Sequence, residues 1–235
     1  MKYCRVMALC LLFLFCQPEG ERAQADVVRS FSAEEQPKFV ALTFDDGPRR
    51  GTTDRLLEGL RQREVKCTFF VIGRQIPGNE DILLQMQRDG HQVGNHSYDH
   101  EYLSRCQEET FHQQINKTQS LLRQVLGEGE YWLRPPYGMI LPEQMTLVQT
   151  PLVGWSVDPE DWKLLDARQV SQAVLETVQD GDIILLHDFY PSSVEAALYL
   201  VDELQRQGFF FLTVQQLFRQ KGVEVRAGEL YLKAP

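Results

Sequence analysis

The sequence predicts an α/β protein whose core is a closed or partly closed (β/α) barrel of about seven parallel strands. Short runs rich in β-branched and aromatic residues alternate along the chain with helical patterns. Several of the strand-like runs, such as residues 39–44, are almost wholly apolar, which is typical of a parallel sheet covered by helices. About seven repeats of this strand–helix unit favour a barrel over an open sheet.

The first half of the chain alternates strands with helices. Strands are predicted at residues 39–44, at 67–72 and, shorter and followed by a loop, at 91–97. The first helix begins at Thr52 or Thr53, either of which can serve as its N-cap, and the second runs from an Asn79 cap to Arg88. The third is a long amphipathic helix at residues 107–126, which Gly127 ends.

The second half repeats this alternation. Prolines break a short strand at residues 131–138, and further strands are predicted at 152–158, 182–188 and 208–214. Helices are predicted at residues 167–179, 194–207 and 214–220. Because no linker or repeat is visible, the sequence predicts one domain at 38–220, between a short N-terminal extension at 26–37 and a C-terminal tail at 221–235.

The N-terminus has the form of an export signal. A short basic segment precedes an apolar run at residues 6–16, which is too short to span a bilayer comfortably. Ala23 and Ala25 give the small-x-small pattern of a signal-peptidase site, so residues 1–25 are interpreted as a cleaved signal peptide. A retained anchor and a lipoprotein signal with lipidated Cys16 are the alternatives. Export predicts a secreted, periplasmic or cell-envelope protein, without stable membrane insertion after cleavage.

Charge and cysteine content restrict the partners and the covalent structure. The net charge of −9 and the absence of a Lys/Arg stripe argue against nucleic acid as a partner. Cleavage of the signal would leave Cys67 and Cys106, which could pair in an exported protein. Cys67 lies in an apolar run, where a buried free thiol is the simpler interpretation.

Polar side chains follow the ends of five predicted strands. The carboxyl ends of parallel strands meet at one rim of a barrel, where catalytic residues of such folds lie. The residues at these ends are Asp45, Asp46, His96, His100, Arg134, Tyr137, Asp158, Asp161, Trp162, His187 and Asp188. The sequence therefore predicts one site that draws on five strands.

The spacing of two histidines indicates a metal site. His96 and His100 stand at i and i+4, so on a helical turn they would face the same way and share a metal ion. Asp45 or Asp46 can complete a two-histidine, one-carboxylate set, and the other carboxylate then stays free to accept a proton. This ligand set suits zinc, cobalt, iron or nickel. The alternatives are two exposed histidines and an ordinary Asp-Asp-Gly turn.

A general acid is predicted opposite these carboxylates. His187 ends a strand that should be deeply buried, and Asp161 is the nearest candidate to hold its ring and adjust its pKa. Arg134 could lock a carboxylate through a forked hydrogen bond, whereas a core histidine and a surface ion pair are the alternative interpretations. Tyr137 and Trp162 could wall a cleft of sugar size, or could simply pack in the core.

Taken in order, five motifs carry a resemblance to a known family. They are "TFDDGP" (43–48), "HSYDH" (96–100), "RPPYG" (134–138), "DPEDW" (158–162) and "ILLHD" (184–188). The set resembles that of the polysaccharide deacetylases with a NodB homology domain, carbohydrate esterase family 4, from about residue 38 to 220. The resemblance implies a distorted (β/α) barrel with fewer strands than an eight-fold barrel. The short segment between 138 and 152, with Pro142 and Pro151, departs from the family and predicts a truncated helix.

By position, the resemblance implies roles in the reaction. Asp45 matches the family's catalytic base, and Arg134 matches the arginine that orients it. His187 matches the catalytic acid, and Asp161 matches the aspartate that tunes this acid. Tyr137 matches the residue whose backbone N–H helps to hold the oxyanion.

The resemblance also implies ligands for a metal and contacts for the substrate. Asp46, His96 and His100 match the residues that bind one divalent metal ion, for which zinc is our first expectation. Trp162 and Leu185 match groups that enclose the acetyl methyl and the sugar.

These observations predict an enzyme that removes N-acetyl groups from N-acetylhexosamine units of a polysaccharide, with peptidoglycan or a chitin-like glycan as substrate. An O-acetyl esterase acting on xylan or another acetylated glycan is one alternative. An inactive carbohydrate-binding relative is another, although the ligand and base positions are intact. We expect a monomer.

Overall fold

The computed structural model describes residues 36–235 of the chain. These residues contain seven strands and eight α-helices, joined by loops and turns. The strands are β1 (Lys38–Asp45), β2 (Thr68–Val71), β3 (Gln92–Asn95), β4 (Leu152–Val153), β5 (Ile183–His187), β6 (Phe209–Phe211) and β7 (Leu230–Tyr231). The helices are α1 (Thr53–Gln62), α2 (Glu80–Arg88), α3 (Glu108–Leu126), α4 (Pro142–Met145), α5 (Asp161–Leu164), α6 (Ala167–Leu175), α7 (Pro191–Arg206) and α8 (Val214–Gln220). Among these residues, no helix has the length and apolarity needed to cross a bilayer.

Strand β1 lies at the centre of the sheet. It pairs in parallel with β5 along one edge, and on the other edge with β6 near its start and with β2 near its end. Strand β3 continues the sheet beyond β2, which gives the order β3-β2-β1-β5. Because apolar clusters cover both faces of β1, its side chains are buried from Val40 onward, as its sequence predicts.

Single bridges extend the sheet beyond β3 at one end and beyond β5 at the other. Parallel bridges join Asn95 to Leu133, Leu133 to Leu152, and Val157 to Ile184 of β5, while β4 pairs with β7. The strands therefore curve into the distorted, partly closed barrel that the sequence predicts. The strands expected at 131–138 and 152–158 are reduced to a bridge and to two-residue β4. Pro135 and Pro136 there have no N–H for a ladder.

Alternate residues of β1 face opposite sides of the sheet. Val40, Leu42 and Phe44 belong to the large apolar cluster formed with α1, α2, α6 and α7. Ala41 belongs to a second cluster, formed with residues of β2, β5 and α8. Because side chains of a strand alternate, Asp45 lies on the side of Ala41 and points into the barrel. The period of the strand thus directs the last residue of β1 toward the site.

The first two helices begin where the sequence predicts, but without the expected caps. Thr52 occupies the N-cap position of α1 and makes no cap hydrogen bond, while the Thr53 hydroxyl accepts from the Arg49 N–H and donates to Asp188. Asn79 precedes α2, but its amide donates instead to the Gln75 carbonyl. In both cases a polar side chain that could have capped the helix forms its hydrogen bond with a group outside the helix instead.

Helix α5 and strand β7 were not predicted, whereas the four-residue helix α4 lies in the segment between 138 and 152 where a truncated helix was expected. Four residues are too few for a helical period to be visible in the sequence. Strand β7 pairs with β4, and nearby the buried Ala234 donates its N–H to the Gly181 carbonyl. The segment 221–235 therefore contributes directly to the sheet and the core. The predicted signal peptide (1–25), with Cys16, and positions 26–35 of the extension lie outside the described residues.

Candidate active site

Asp45 is fixed at the floor of the site by a buried arginine. The guanidinium of Arg134 donates to Asp45 Oδ1 at 2.8 Å and to Thr43 Oγ1 at 2.7 Å. It also donates to the carbonyls of Val153 and Gly154, so Arg134 is fully buried with its donors engaged. The second carboxylate oxygen of Asp45 remains toward the rim. It lies 3.5 Å from His96 Nε2.

Asp46 points to the same rim because the backbone changes conformation after the strand. Its φ of +75° is left-handed, so the alternation of β1 stops at Asp45. Asp46 Oδ1 lies 3.4 Å from His100 Nε2 and 3.7 Å from His96 Nε2. Among the described residues this buried oxygen has no hydrogen-bond partner. Burial raises the pKa of Asp46, which the nearby His96 and His187 partly offset.

His96 and His100 converge without the helical turn that their spacing suggests. They lie in a loop after β3, in which Ser97 and His100 adopt left-handed φ values of +63° and +64°. The Ser97 hydroxyl accepts from the His100 N–H at 3.0 Å. The two imidazole centroids are 4.9 Å apart. A folded loop thus achieves what an i, i+4 helical pair would have given.

The donor set of Asp46, His96 and His100 fits a divalent metal ion. One ligand atom from each lies within 4.8 Å of the others. His96 Nδ1 is 2.8 Å from the Arg134 carbonyl, which requires a proton on Nδ1 and leaves the Nε2 lone pair directed at the cluster. Burial lowers the pKa of both histidines, which favours the neutral ligand form. The unpartnered Asp46 oxygen supplies the third donor.

His187 and Asp161 form a bidentate pair on the other side of the site. His187 Nδ1 lies 2.7 Å from Asp161 Oδ1, and the His187 backbone N–H donates to Asp161 Oδ2 at 2.8 Å. Asp161 begins α5 and is fully buried. Burial alone would lower the pKa of His187, but the hydrogen bond and charge of Asp161, with the charges of Asp45 and Asp46, raise it to about 9.

The remaining predicted residues differ in their exposure. Tyr137 and Trp162 are 47% and 48% exposed, so they belong to the surface rather than to the core. Leu185 is buried in β5, two residues before His187 and therefore on the same face of the strand. Asp158 is not part of the cluster, because its carboxylate caps the following turn by accepting from the Glu160 N–H. Cys67 and Cys106 are both free.

Asp188 is a residue of the rim whose contact the sequence does not reveal. It is fully buried, it accepts the Thr53 hydroxyl on Oδ2, and its Oδ1 has no hydrogen-bond partner among residues 36–235. A Cβ built on Gly47 would lie 2.4 Å from Asp188 Oδ2. Burial raises the pKa of Asp188 to about 7. Its position directly after His187 predicted that Asp188 lies at the rim. Its contacts with Thr53 and Gly47 could not be predicted, because these residues are more than a hundred positions away in sequence.

Comparisons with known proteins agree with this architecture. Residues 32–149 match the family model described as polysaccharide deacetylase. The chain is 38% identical over 180 residues to the peptidoglycan-N-acetylmuramic acid deacetylase PdaC of Bacillus subtilis, covering 77% of this chain and 38% of that protein. It is 36% identical over 184 residues to the peptidoglycan-N-acetylglucosamine deacetylase PgdA of Listeria monocytogenes, covering 78% of this chain and 40% of that protein. The chain thus spans less than half the length of these two relatives.

A solved structure extends the comparison to the fold. A family 4 acetyl xylan esterase from Clostridium thermocellum, in complex with a cobalt ion, superposes with a TM-score of 0.80 at 33% identity. The match covers 84% of this chain and all of that one. The similarity therefore extends beyond the family-model match to the second half of the barrel.

Proposed function

Since the chain belongs to the polysaccharide deacetylase family, we propose that it is a metal-dependent hydrolase that removes N-acetyl groups from N-acetylhexosamine units of a polysaccharide. The observation that carries the proposal is the pairing of Asp45 with Arg134 and of His187 with Asp161 around one metal-type cluster. A base, an acid and a metal site together are what amide hydrolysis needs.

Asp46, His96 and His100 are the proposed metal ligands. A divalent ion held there, which we propose to be zinc, would polarise the acetyl carbonyl and lower the pKa of the attacking water. The unpartnered Asp46 oxygen and the tautomer of His96 support this assignment. The same ligand set also suits cobalt, iron or nickel.

Asp45 is the proposed general base. Arg134 holds one of its oxygens, so the carboxylate cannot rotate, and the other oxygen remains available for the proton of the attacking water. Arg134 is itself fixed by two backbone carbonyls, so the base is held by a rigid part of the barrel.

The backbone N–H of Tyr137 is the proposed oxyanion donor. Within residues 36–235 this N–H makes no hydrogen bond, whereas the next two N–H groups close the turn onto Pro135 and Pro136. The left-handed φ of +60° at Tyr137 sets its direction. A donor of this kind is worth about 2.7–4 kcal/mol in the transition state.

His187 is the proposed general acid. With its pKa raised to about 9, the imidazole is protonated at neutral pH and can donate a proton to the amine nitrogen as the C–N bond breaks. The N-acetyl group and water give the free amine and acetate. Asp161 holds the ring through Nδ1, which leaves Nε2 as the donating atom.

Peptidoglycan is the substrate that we favour, ahead of chitin-like oligomers. The named activities of PdaC and PgdA and the export signal interpreted in residues 1–25 support this choice. Exposed Tyr137 and Trp162 would flank the sugar, and Leu185 would lie beneath the acetyl methyl. We propose that the exported enzyme acts as a monomer.

Ester hydrolysis is the second candidate. A solved relative is named as an acetyl xylan esterase, and the same base, acid and metal ligands could hydrolyse an O-acetyl group. An inactive carbohydrate-binding role is less consistent with the complete set of Asp45, Asp46, His96, His100 and His187.

Acetate release from a panel of glycans tests these alternatives. The purified chain, analysed for metal content in the same preparation, is incubated with peptidoglycan fragments, a chitooligosaccharide and acetylxylan. We expect release from the first two substrates to exceed release from acetylxylan. Preferential release from acetylxylan would favour the esterase, and no release from any substrate by metal-loaded protein would contradict enzymatic function.

A further inference from the structure

Four planar groups stand in series beside the candidate metal cluster. The Tyr137 ring lies 4.6 Å from the His100 ring and stacks on Tyr102 at 3.9 Å with an interplanar angle of 9°. The Arg105 guanidinium lies 4.5 Å from the ring of Tyr102. Tyr102 is thus held between a cation and a second aromatic ring.

The two site residues in this series have strained backbones. His100 and Tyr137 have φ values of +64° and +60°, which residues other than glycine rarely adopt. Such conformations persist only where the surrounding structure enforces them. For His100, the Ser97 hydroxyl supplies one constraint through the backbone N–H. For Tyr137, the stack on Tyr102 is the closest aromatic contact of the ring.

The backbone that carries Tyr102 is held in place by burial and by hydrogen bonds. The next residue, Leu103, is fully buried, and its carbonyl accepts from the side chain of Gln144 in α4 at 2.8 Å. The Tyr102 carbonyl accepts from the Arg105 N–H at 2.9 Å, which closes the turn. The ring therefore projects from a turn that is anchored to the core. Because the ring of Tyr137 stacks on it, the Tyr102 ring can restrict the movement of Tyr137.

We infer that Tyr102 is a positioning residue that acts through its neighbours: its ring holds Tyr137 with the backbone N–H directed at the oxyanion and, through Tyr137, holds His100 at the metal cluster. The part that concerns Tyr137 rests on the proposed function. The part that concerns His100 rests only on the metal cluster, so it can be measured without any turnover.

The test compares Tyr102→Ala, Tyr102→Leu and Tyr102→Phe, with Tyr199→Ala on α7, a more exposed tyrosine outside this series, as the control for loss of a tyrosine ring. The readouts are the dissociation constant for zinc, from chelator competition, and kcat and KM for acetate release. Loss of an aromatic pair predicts that the Ala and Leu variants bind zinc about 2–10-fold more weakly and lose about 2–10-fold in kcat. KM should change little, because an oxyanion contact acts in the transition state. Tyr102→Phe keeps the stack and should match the parent, as should Tyr199→Ala.

Several outcomes would overturn the inference. One is unchanged zinc affinity and kcat in both Tyr102→Ala and Tyr102→Leu. Another is a raised KM with unchanged kcat, which would make Tyr102 a sugar contact instead. A third is a Tyr102→Phe variant as defective as Tyr102→Ala, which would assign the effect to the hydroxyl. If Tyr102→Ala does not fold, the Leu variant decides. If the parent releases no acetate, the proposed function fails, while the zinc affinities still decide the role of Tyr102 at His100.

Discussion

Asp45 and Asp46 are adjacent in sequence but differ in what their side chains contact. Asp45 ends β1, faces the barrel interior and is held by Arg134. Asp46 has left the strand conformation, so its side chain also reaches the rim instead of the opposite face. Its Oδ1 approaches both histidines and has no hydrogen-bond partner among residues 36–235. The change of backbone between the two residues accounts for their different proposed roles.

Asparagine at either position separates these roles. We expect Asp45→Asn to lower kcat by about 10²–10⁴-fold, the usual contribution of a general base, while the protein still binds one metal ion. Asp46→Asn should instead weaken metal binding, because it removes the anionic ligand. Elemental analysis and acetate release on the same samples measure both effects. Full acetate release by Asp45→Asn would disprove its role as the base.

The pair of His187 and Asp161 predicts the pH dependence of turnover. As the proposed general acid, His187 must be protonated, and the hydrogen bond and charge of Asp161 raise its pKa, so activity should fall as the pH rises through the pKa of His187. Asp161→Asn removes the partner charge and should move this alkaline limb of kcat/KM to lower pH by about 1–3 units. Asp158→Asn, which removes a charge without touching His187, is the control. An unmoved alkaline limb in Asp161→Asn would assign it to another group.

Gly47 occupies a position that has no room for a side chain. A Cβ on Gly47 would lie 2.4–2.8 Å from the carboxyl group of Asp188, which is fully buried and bonded to Thr53. We expect Gly47→Ala to lower the free energy of unfolding by about 1–3 kcal/mol. Gly129→Ala, where the nearest atom would be at an ordinary 3.6 Å, should change it little. Urea denaturation measures both, and equal values would show that Asp188 moves aside without cost.

At the scale of elements, the sequence predicts the long strands and helices, whose apolar residues repeat with a clear period, and misses elements of only a few residues. Strand β1 and helix α3 were predictable because eight and nineteen residues display a period and an apolar face. Two-residue strand β7 has no such signal, and β4 was predicted as a longer strand at 152–158, although the pairing of these two strands helps to shape the barrel. The site residues were predictable because they sit at strand ends and in motifs. The contacts of Tyr102 and Asp188 were not, because they join segments distant in sequence.

Alanine substitutions at two glycines test how firmly the C-terminal segment packs against the rest of the protein. Gly181 and Gly208 have φ values of +86° and +83°, so alanine at either costs about 1–2 kcal/mol of backbone strain. At Gly181 the new Cβ would also lie 2.0 Å from the Ala234 carbonyl oxygen, whereas at Gly208 it meets nothing within 4 Å. Gly181→Ala should therefore cost about 1–3 kcal/mol more than Gly208→Ala in the free energy of unfolding.

A shortened chain provides the control for this comparison. In a variant that ends before Gly228, both β7 and Ala234 are gone, so the difference between the two substitutions should disappear. A difference that persists in the shortened chain would mean that another contact limits Gly181. Equal costs in the full chain would mean that the terminal segment shifts away without penalty.

On the scale of the whole molecule, the site concentrates negative charge that the protein only partly balances. Asp45, Asp161 and Asp188 are buried at one rim of a chain whose net charge is −9, although burial raises the pKa of Asp188 to about 7 and so reduces its share of that charge at neutral pH. Arg134 and His187 pair with the first two. Asp46, with its unpartnered oxygen, remains for a cation. The metal ion should therefore stabilise the fold as well as the reaction, because the unfolded chain does not assemble these ligands.

Zinc should raise the free energy of unfolding by about 2.7 kcal/mol at a free concentration one hundred times the dissociation constant. His100→Ala should remove most of this increase, since two ligands remain, and magnesium should not reproduce it because that ion prefers an all-oxygen octahedral site. Urea denaturation with buffered free zinc, with magnesium and with a chelator measures the effect. An equal zinc-dependent increase in the parent and in His100→Ala would locate the stabilising ion away from Asp46, His96 and His100.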